Sequence, residues 1–151
     1  MTRISVHRLM RAPLATVFRT VADVTEFRKA IPHIVNVEFL SAEKLGKGTR
    51  FRETRLMNGR RVTTELNVVD YVENDYIRLK ANKNGTLWDT VFAVREENGL
   101  TRLSLVLDAK PYEWLPQLMS SMWSGILKQA MENDMDEVRK YCENASAASA
   151  P

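Results

Sequence analysis

The chain reads as an α+β protein, an antiparallel sheet with one apolar face covered by a single long helix near the C-terminus. Three observations predict this. Period-two alternation of apolar and polar residues recurs as far as Pro111, short turn signals separate the alternating runs, and a stripe at three- and four-residue steps occupies the stretch that follows. Turn-like connections require antiparallel neighbours, because a parallel pair needs a crossover of a dozen or more residues. A sheet with one apolar face packs most simply against one covering helix, and its other face meets solvent.

Residues 3 to 10 alternate as a strand, with Ile4, Val6 and Met10 on one side and Ser5, His7 and Leu9 on the other. Pro13 suits a first helical position, where its fixed φ and missing donor are tolerated, and Leu14, Val17, Phe18 and Val21 follow at helical spacing. Asp23 breaks this helix. Thr25 can cap a second brief one through Phe27 and Ala30, and Pro32 closes it because the residue before proline avoids the α region. A strand from His33 to about Leu40 carries β-branched Ile34, Val35 and Val37, and Gly46 and Gly48 mark a loop.

Residues 49 to 57 form the next strand, and Asn58-Gly59 is a two-residue hairpin signal into residues 60 to 72, where Val62, Thr64, Leu66 and Val68 share a face. Glu73-Asn74-Asp75 turns the chain into a short strand, Tyr76 to Asn82. Asn84-Gly85 turns it again into Thr86 to Arg95, with Trp88, Thr90, Phe92 and Val94 on one side. After Asn98-Gly99 a half-buried strand sets Leu103, Leu105 and Leu107 against Arg102, Ser104 and Asp108.

From Pro116 to Glu143 the pattern is one amphipathic helix of about 28 residues, spanning about 42 Å at the usual rise. Its apolar stripe comprises Leu118, Met119, Met122, Trp123, Ile126, Leu127, Met131 and Met135, and four of these eight are methionine. Unbranched, polarizable Met adapts to irregular or exchangeable contents, so the stripe fits ordinary core packing and also suggests a cavity. The tail NASAASAP after Glu143 is small, polar and low in complexity and reads as frayed or disordered, leaving residues 1 to 143 as one domain.

Composition narrows the function classes. With 151 residues, 44% hydrophobic and 27% charged, the chain suits one globular domain. No apolar run approaches the ~18 residues of a membrane span, and the N-terminal residues lack the apolar core of a secretory signal. Cys142 is the only cysteine, which suits a reducing cytoplasm. The formal charge of +3 is mild. Arg50, Arg52, Arg55, Arg60 and Arg61 cluster on strands, where a solvated face explains them without nucleic acid. One cysteine and the widely spaced His7 and His33 match no zinc pattern, and no cofactor motif is present. Each histidine is read as structural or exposed.

Arg11-Ala12-Pro13 followed by Val17-Phe18, the segment from Asp23 to Pro32 with Phe27 and Ile31-Pro32, the strand opening at Gly48, and the turn Gly99-Leu100-Thr101-Arg102 occur in an order that resembles the START-like superfamily. This group is also called SRPBCC, helix-grip or Bet v 1-like. Within it the chain is most similar to bacterial proteins of the polyketide cyclase/dehydrase and lipid-transport type, and the resemblance runs from Arg3 to Glu143. It implies a helix-grip fold: a curved seven-stranded antiparallel sheet gripping the C-terminal helix, with a hydrophobic pocket between them. The family shares no catalytic motif, so no catalytic residue carries over, and the fold alone does not fix function.

Face assignments supply candidate walls for that pocket: Phe27 from the short helices; Phe51, Glu53, Arg55, Met57, Leu66, Trp88, Phe92 and Leu105 from strands; Met119, Met122, Trp123 and Ile126 from the long helix. Glu53 and Arg55 share a face with Phe51 and Met57. In that register a charge pair enters the pocket and must be neutralised there; in the other, Arg50, Arg52 and Thr54 point inward and both charges are solvated. Asp89 lies opposite Trp88 and Thr90, on the exposed side. The resulting expectation is a module binding a small hydrophobic or amphipathic molecule, such as a lipid, quinone-like or polyketide-like compound. The alternatives are a cyclase or dehydratase in which Glu53 or Arg55 assists, and a regulatory module meeting a protein partner through its exposed sheet face or its arginine-rich edge.

Overall fold

The computed structural model describes residues 2–114 and 121–149. Strand β1 (Thr2–Met10) leads into helices α1 (Leu14–Ala22) and α2 (Val24–Ala30). Six strands follow: β2 (Ile34–Phe39), β3 (Arg50–Met57), β4 (Arg60–Val72), β5 (Tyr76–Lys83), β6 (Thr86–Glu97) and β7 (Leu100–Pro111). Helix α3 (Ser121–Ser149) ends the described chain. The strands form one antiparallel sheet in the order β1-β7-β6-β5-β4-β3-β2, the predicted α+β helix-grip architecture.

Consecutive strands pair because their connections are too short for anything else. Asn58-Gly59, Asn84-Gly85 and Asn98-Gly99 all have positive φ at both residues, the geometry of a type I′ hairpin, whose twist matches that of the flanking strands. The exception is the step from β1 to β2, which lie at opposite edges. Here α1 and α2 carry the chain across, α1 beneath β5, β6 and β7 and α2 beside β2. Pro13 caps α1 instead of opening it, and α2 is capped by Asp23, whose carboxylate accepts from the Thr25 backbone N–H at 2.9 Å. Asp outcompetes Thr25 for this role because its two oxygens reach the free donor from the position just outside the helix.

Along the inner face, Val6, Leu105, Phe92, Ile77 and Tyr71 stand in register, and all but half-buried Tyr71 are buried. The outer face is polar and laced with ion pairs, among them Arg3–Asp108, Arg50–Glu65, Arg52–Glu38 and Arg78–Asp89. Asp89 is thus on the outer side, as expected, with Arg78 covering part of it.

Helix α3 departs from expectation at its C-terminal end. The predicted start at Pro116, with Leu118 and Met119, lies outside the described residues. At the other end the helix continues past Glu143 to Ser149. Ala145, Ala147 and Ala148 favour helix and neither Gly nor Pro interrupts the segment. Its buried stripe is Met131, Met135, Val138 and Cys142. Met122 and Ile126, expected on that stripe, are 76% and 65% exposed. Helical phase explains this: at about 100° per residue, Met122 lies some 900° behind Met131, half a turn out of phase.

The α3 backbone lies beside β1, α1 and α2, while β4 and β5 stand farther off. Polar ties fix it there. Asp136 accepts from Arg8 of β1 at 2.8 Å, and the Tyr141 hydroxyl donates to Glu26 of α2 at 3.0 Å. The hydrogen bond from Arg8 holds the Asp136 carboxyl below its ordinary value of 3.8, against the opposing effect of burial. Lys29, and to a lesser degree Tyr141, hold Glu26 below its ordinary 4.5. Groups depressed in the folded state stabilise it fully above their ordinary values and lose that contribution as pH falls through the folded ones. The melting temperature should therefore be flat from neutrality to about pH 5 and fall below about pH 4, with a smaller acid-induced fall in Arg8→Met. An unchanged slope in that variant would remove the Arg8–Asp136 tie from this account.

Candidate functional site

Between the inner face of the sheet and α3 lies a cavity of two adjoining chambers, about 300 Å³ and 630 Å³. Arg55, Met57, Thr64, Leu66, Leu79, Thr90, Leu107 and Leu127 line both, so the chambers share a wall. Each falls within the usual size of small-molecule sites, and the lining is mainly apolar. The cavity exists because the α3 backbone is held to β1 and the short helices and so stands off from β3 to β6.

The smaller chamber is the inner one. It is walled by Phe27, Phe51, Phe92 and Leu105, with Met131 contributed by α3. Phe27 and Phe92 meet edge to face, their centroids 5.9 Å apart. The larger chamber lies toward the Asn84-Gly85 turn, where Trp88 of β6 and Trp123 of α3 approach to 5.6 Å between ring centroids. Of the residues expected at the site, Phe27, Phe51, Glu53, Arg55, Met57, Leu66, Phe92 and Leu105 line the smaller chamber, and Trp88 and Trp123 the larger. Met122 and Ile126 face solvent, and Met119 lies outside the described residues.

The register of β3 places Phe51, Glu53, Arg55 and Met57 on the cavity side. Arg55 is thereby separated from Arg50 and Arg52, whose partners are on the outer face. Its Nε donates to Glu53 Oε1 at 2.5 Å, and its Nη1 donates to Asp134 Oδ2 of α3 at 2.8 Å and to His33 Nε2 at 3.1 Å. An acceptor at Nε2 puts the proton of a neutral His33 on Nδ1. Burial alone would lower the Arg55 pKa, but the charges of Glu53 and Asp134 outweigh it and raise the value, so the guanidinium is firmly charged. One guanidinium thus holds two carboxyl groups, from β3 and from α3, in a largely apolar wall.

Asp134 escaped the sequence reading, and His33 was read there as structural or exposed. Asp134 has a partial signal, since it follows Leu127 and Met131 along the same side of α3; His33, in the turn before β2, has none, because its partner is 22 residues away on β3. Lys83 and Thr86 also line the larger chamber. Lys83 continues the inward alternation of Ile77, Leu79 and Ala81, but adjacent turn residues placed the predicted strand end at Asn82. Among the described residues no group of three or more His, Cys, Asp or Glu is placed to hold a metal ion, and no helix is long and apolar enough to cross a membrane.

Residues 1–143 match the family described as polyketide cyclase / dehydrase and lipid transport. The chain belongs to that family. No curated protein matches it. Among solved structures it is similar to Ara h 8.0201, with 16% identity, a TM-score of 0.76 and coverage of 93% of this chain and 97% of the other. TTHA0849 from Thermus thermophilus has 18% identity and a TM-score of 0.72, with 99% and 100% covered. The di-domain ARO/CYC protein BexL from the BE-7585A biosynthetic pathway has 15% identity and a TM-score of 0.72; it is matched over 99% of this chain and 51% of its own length. At these identities the likeness is one of fold. Family and fold together make this a hydrophobic ligand-binding scaffold.

Proposed function

We propose that the protein binds a small hydrophobic or amphipathic molecule, of lipid, quinone-like or polyketide-like type, in the two-chambered cavity. The observation that carries this reading is the cavity itself: apolar and aromatic walls, with its few polar side chains gathered at defined points, the composition that orients a mainly greasy guest. A ligand that binds only the folded state raises the melting temperature by linkage, about 2.7 kcal/mol at a hundredfold excess over Kd. Melting against a broad panel of lipophiles should therefore pick out a subset that stabilises. If no member of such a panel moves the transition, the reading fails.

The cluster of Glu53, Arg55, Asp134 and His33 favours a second reading, a cyclase or dehydratase using the same cavity. A carboxylate and a guanidinium set in an apolar wall could orient a carbonyl and move a proton beside it, and holding a flexible chain in one fold lowers barriers by as much as ~7–11 kcal/mol. The two readings separate on the fate of a bound poly-β-ketone: a binder returns it unchanged, and a cyclase releases a ring.

A further inference from the structure

The larger chamber holds a charged side chain that stands apart from the Glu53–Arg55–Asp134 cluster. Lys83, at the end of β5, extends into the larger chamber and donates from Nζ to the Thr63 carbonyl at 2.5 Å and to Thr64 Oγ1 at 3.2 Å. An ammonium has three donors, so one remains. Among the described residues no carboxylate pairs with it. Burial is the one influence on its amine, and it pushes the pKa down from the ordinary 10.5. A half-buried cation without a counter-charge is costly, and here it faces an apolar wall.

A second observation converges on the same place. Thr86 stands directly across from Lys83 in the β5–β6 register and lines the same chamber. It is 0% exposed, and among the described residues its hydroxyl has no hydrogen-bond partner. A buried orphan hydroxyl costs about 1–3 kcal/mol, which a bound acceptor would relieve.

We propose that Lys83 and Thr86 form the anchor for the acid group of the cavity's ligand. The molecule taken is a hydrophobic carboxylate, with its acid group at the Asn84-Gly85 end and its apolar body directed toward Phe51 and Phe92. The proposal rests on the ligand-binding reading above and adds sign and orientation to it. One unopposed ammonium and one hydroxyl donor match a monoanion. Arg55 does not serve as the anchor, because Glu53 and Asp134 already hold its guanidinium. The cavity thus has a long axis that runs from the Glu53–Arg55–Asp134 cluster to Lys83. Inward residues of β5 trace that axis, from Ile77 in the inner chamber, through Leu79 in both, to Lys83 in the outer, six residues or about 20 Å.

The test is calorimetric titration near neutral pH with dodecanoate, dodecan-1-ol and dodecyltrimethylammonium, each below its micellar concentration. The wild-type protein should bind the acid at least about tenfold more tightly than the alcohol, as a charge-assisted hydrogen bond provides, and the quaternary ammonium most weakly. Lys83→Met should erase that preference, and Lys83→Arg should keep it. Wild-type binding of alcohol and acid with equal affinity overturns the anchor while the cavity's role stands, and needs no variant to fold. A preference for the acid that survives in Lys83→Met also overturns it. Binding of none of the three overturns the ligand-binding reading together with the anchor.

Discussion

Arg55→Met should cost about 3–5 kcal/mol of folding stability, seen as a lower urea midpoint with little change in slope. The size follows from what the substitution leaves behind. Arg55 joins β3 to α3, with Glu53 Oε1 at 2.5 Å from its Nε and Asp134 Oδ2 at 2.8 Å from its Nη1. Met fills similar space but strands two carboxylates near each other in the cavity wall, where neither has water enough to replace the lost partner. Removing both charges as well, with Glu53→Gln and Asp134→Asn in the Arg55→Met background, should recover most of the loss, because a neutral wall no longer carries the desolvation penalty. A loss below about 1 kcal/mol in the single variant would mean that water reaches the cluster freely and that it does not hold the helix.

How far the sequence disclosed this arrangement depended on the range of the interaction concerned. The three Asn-Gly pairs announced their hairpins because the turn geometry is local: it needs positive φ at two adjacent residues, and Asn and Gly tolerate it. Alternation likewise placed Phe51, Leu66, Phe92 and Leu105 on the inner face. On β3 the same signal left two registers open, since Glu53 and Arg55 are as polar as Arg52 and Thr54. The choice was made by cross-strand partners, where Phe51 pairs with Leu66 on one side and Phe39 on the other.

Long-range relations were not legible. Asp134 meets Arg55 across 79 residues, and nothing near either position announces the other. On α3 Met122 and Ile126 share one arc of about 140° with Trp123 and Leu127, so they were assigned to the stripe although the phase set by Met131, Met135, Val138 and Cys142 excludes them. The tail was read as disordered from its low complexity, which reports variety of composition; its alanines report helix propensity, and the helix runs to Ser149.

The second large effect concerns the cavity itself. Thr90 lines both chambers and stands on β6 between Trp88 and Phe92, in register with Leu79 on one side and Leu107 on the other. Thr90→Phe places a ring in the space the chambers share. Because that space is unoccupied by side chains, the ring need not displace its neighbours, and stability should hold within about 1.5 kcal/mol, the range of tolerated apolar replacements. Binding should suffer far more: a guest spanning both chambers loses at least about 2.7 kcal/mol, a hundredfold in Kd.

Titration of wild-type and Thr90→Phe protein with Nile red, a neutral dye whose emission shifts to the blue in apolar surroundings, tests the central claim most directly. The account predicts saturable binding of one dye per wild-type chain and a hundredfold weaker response from a Thr90→Phe chain that melts like its parent. Equal dye affinity in the two proteins would contradict it, because the guest would then be lodging somewhere other than between the sheet and the helix.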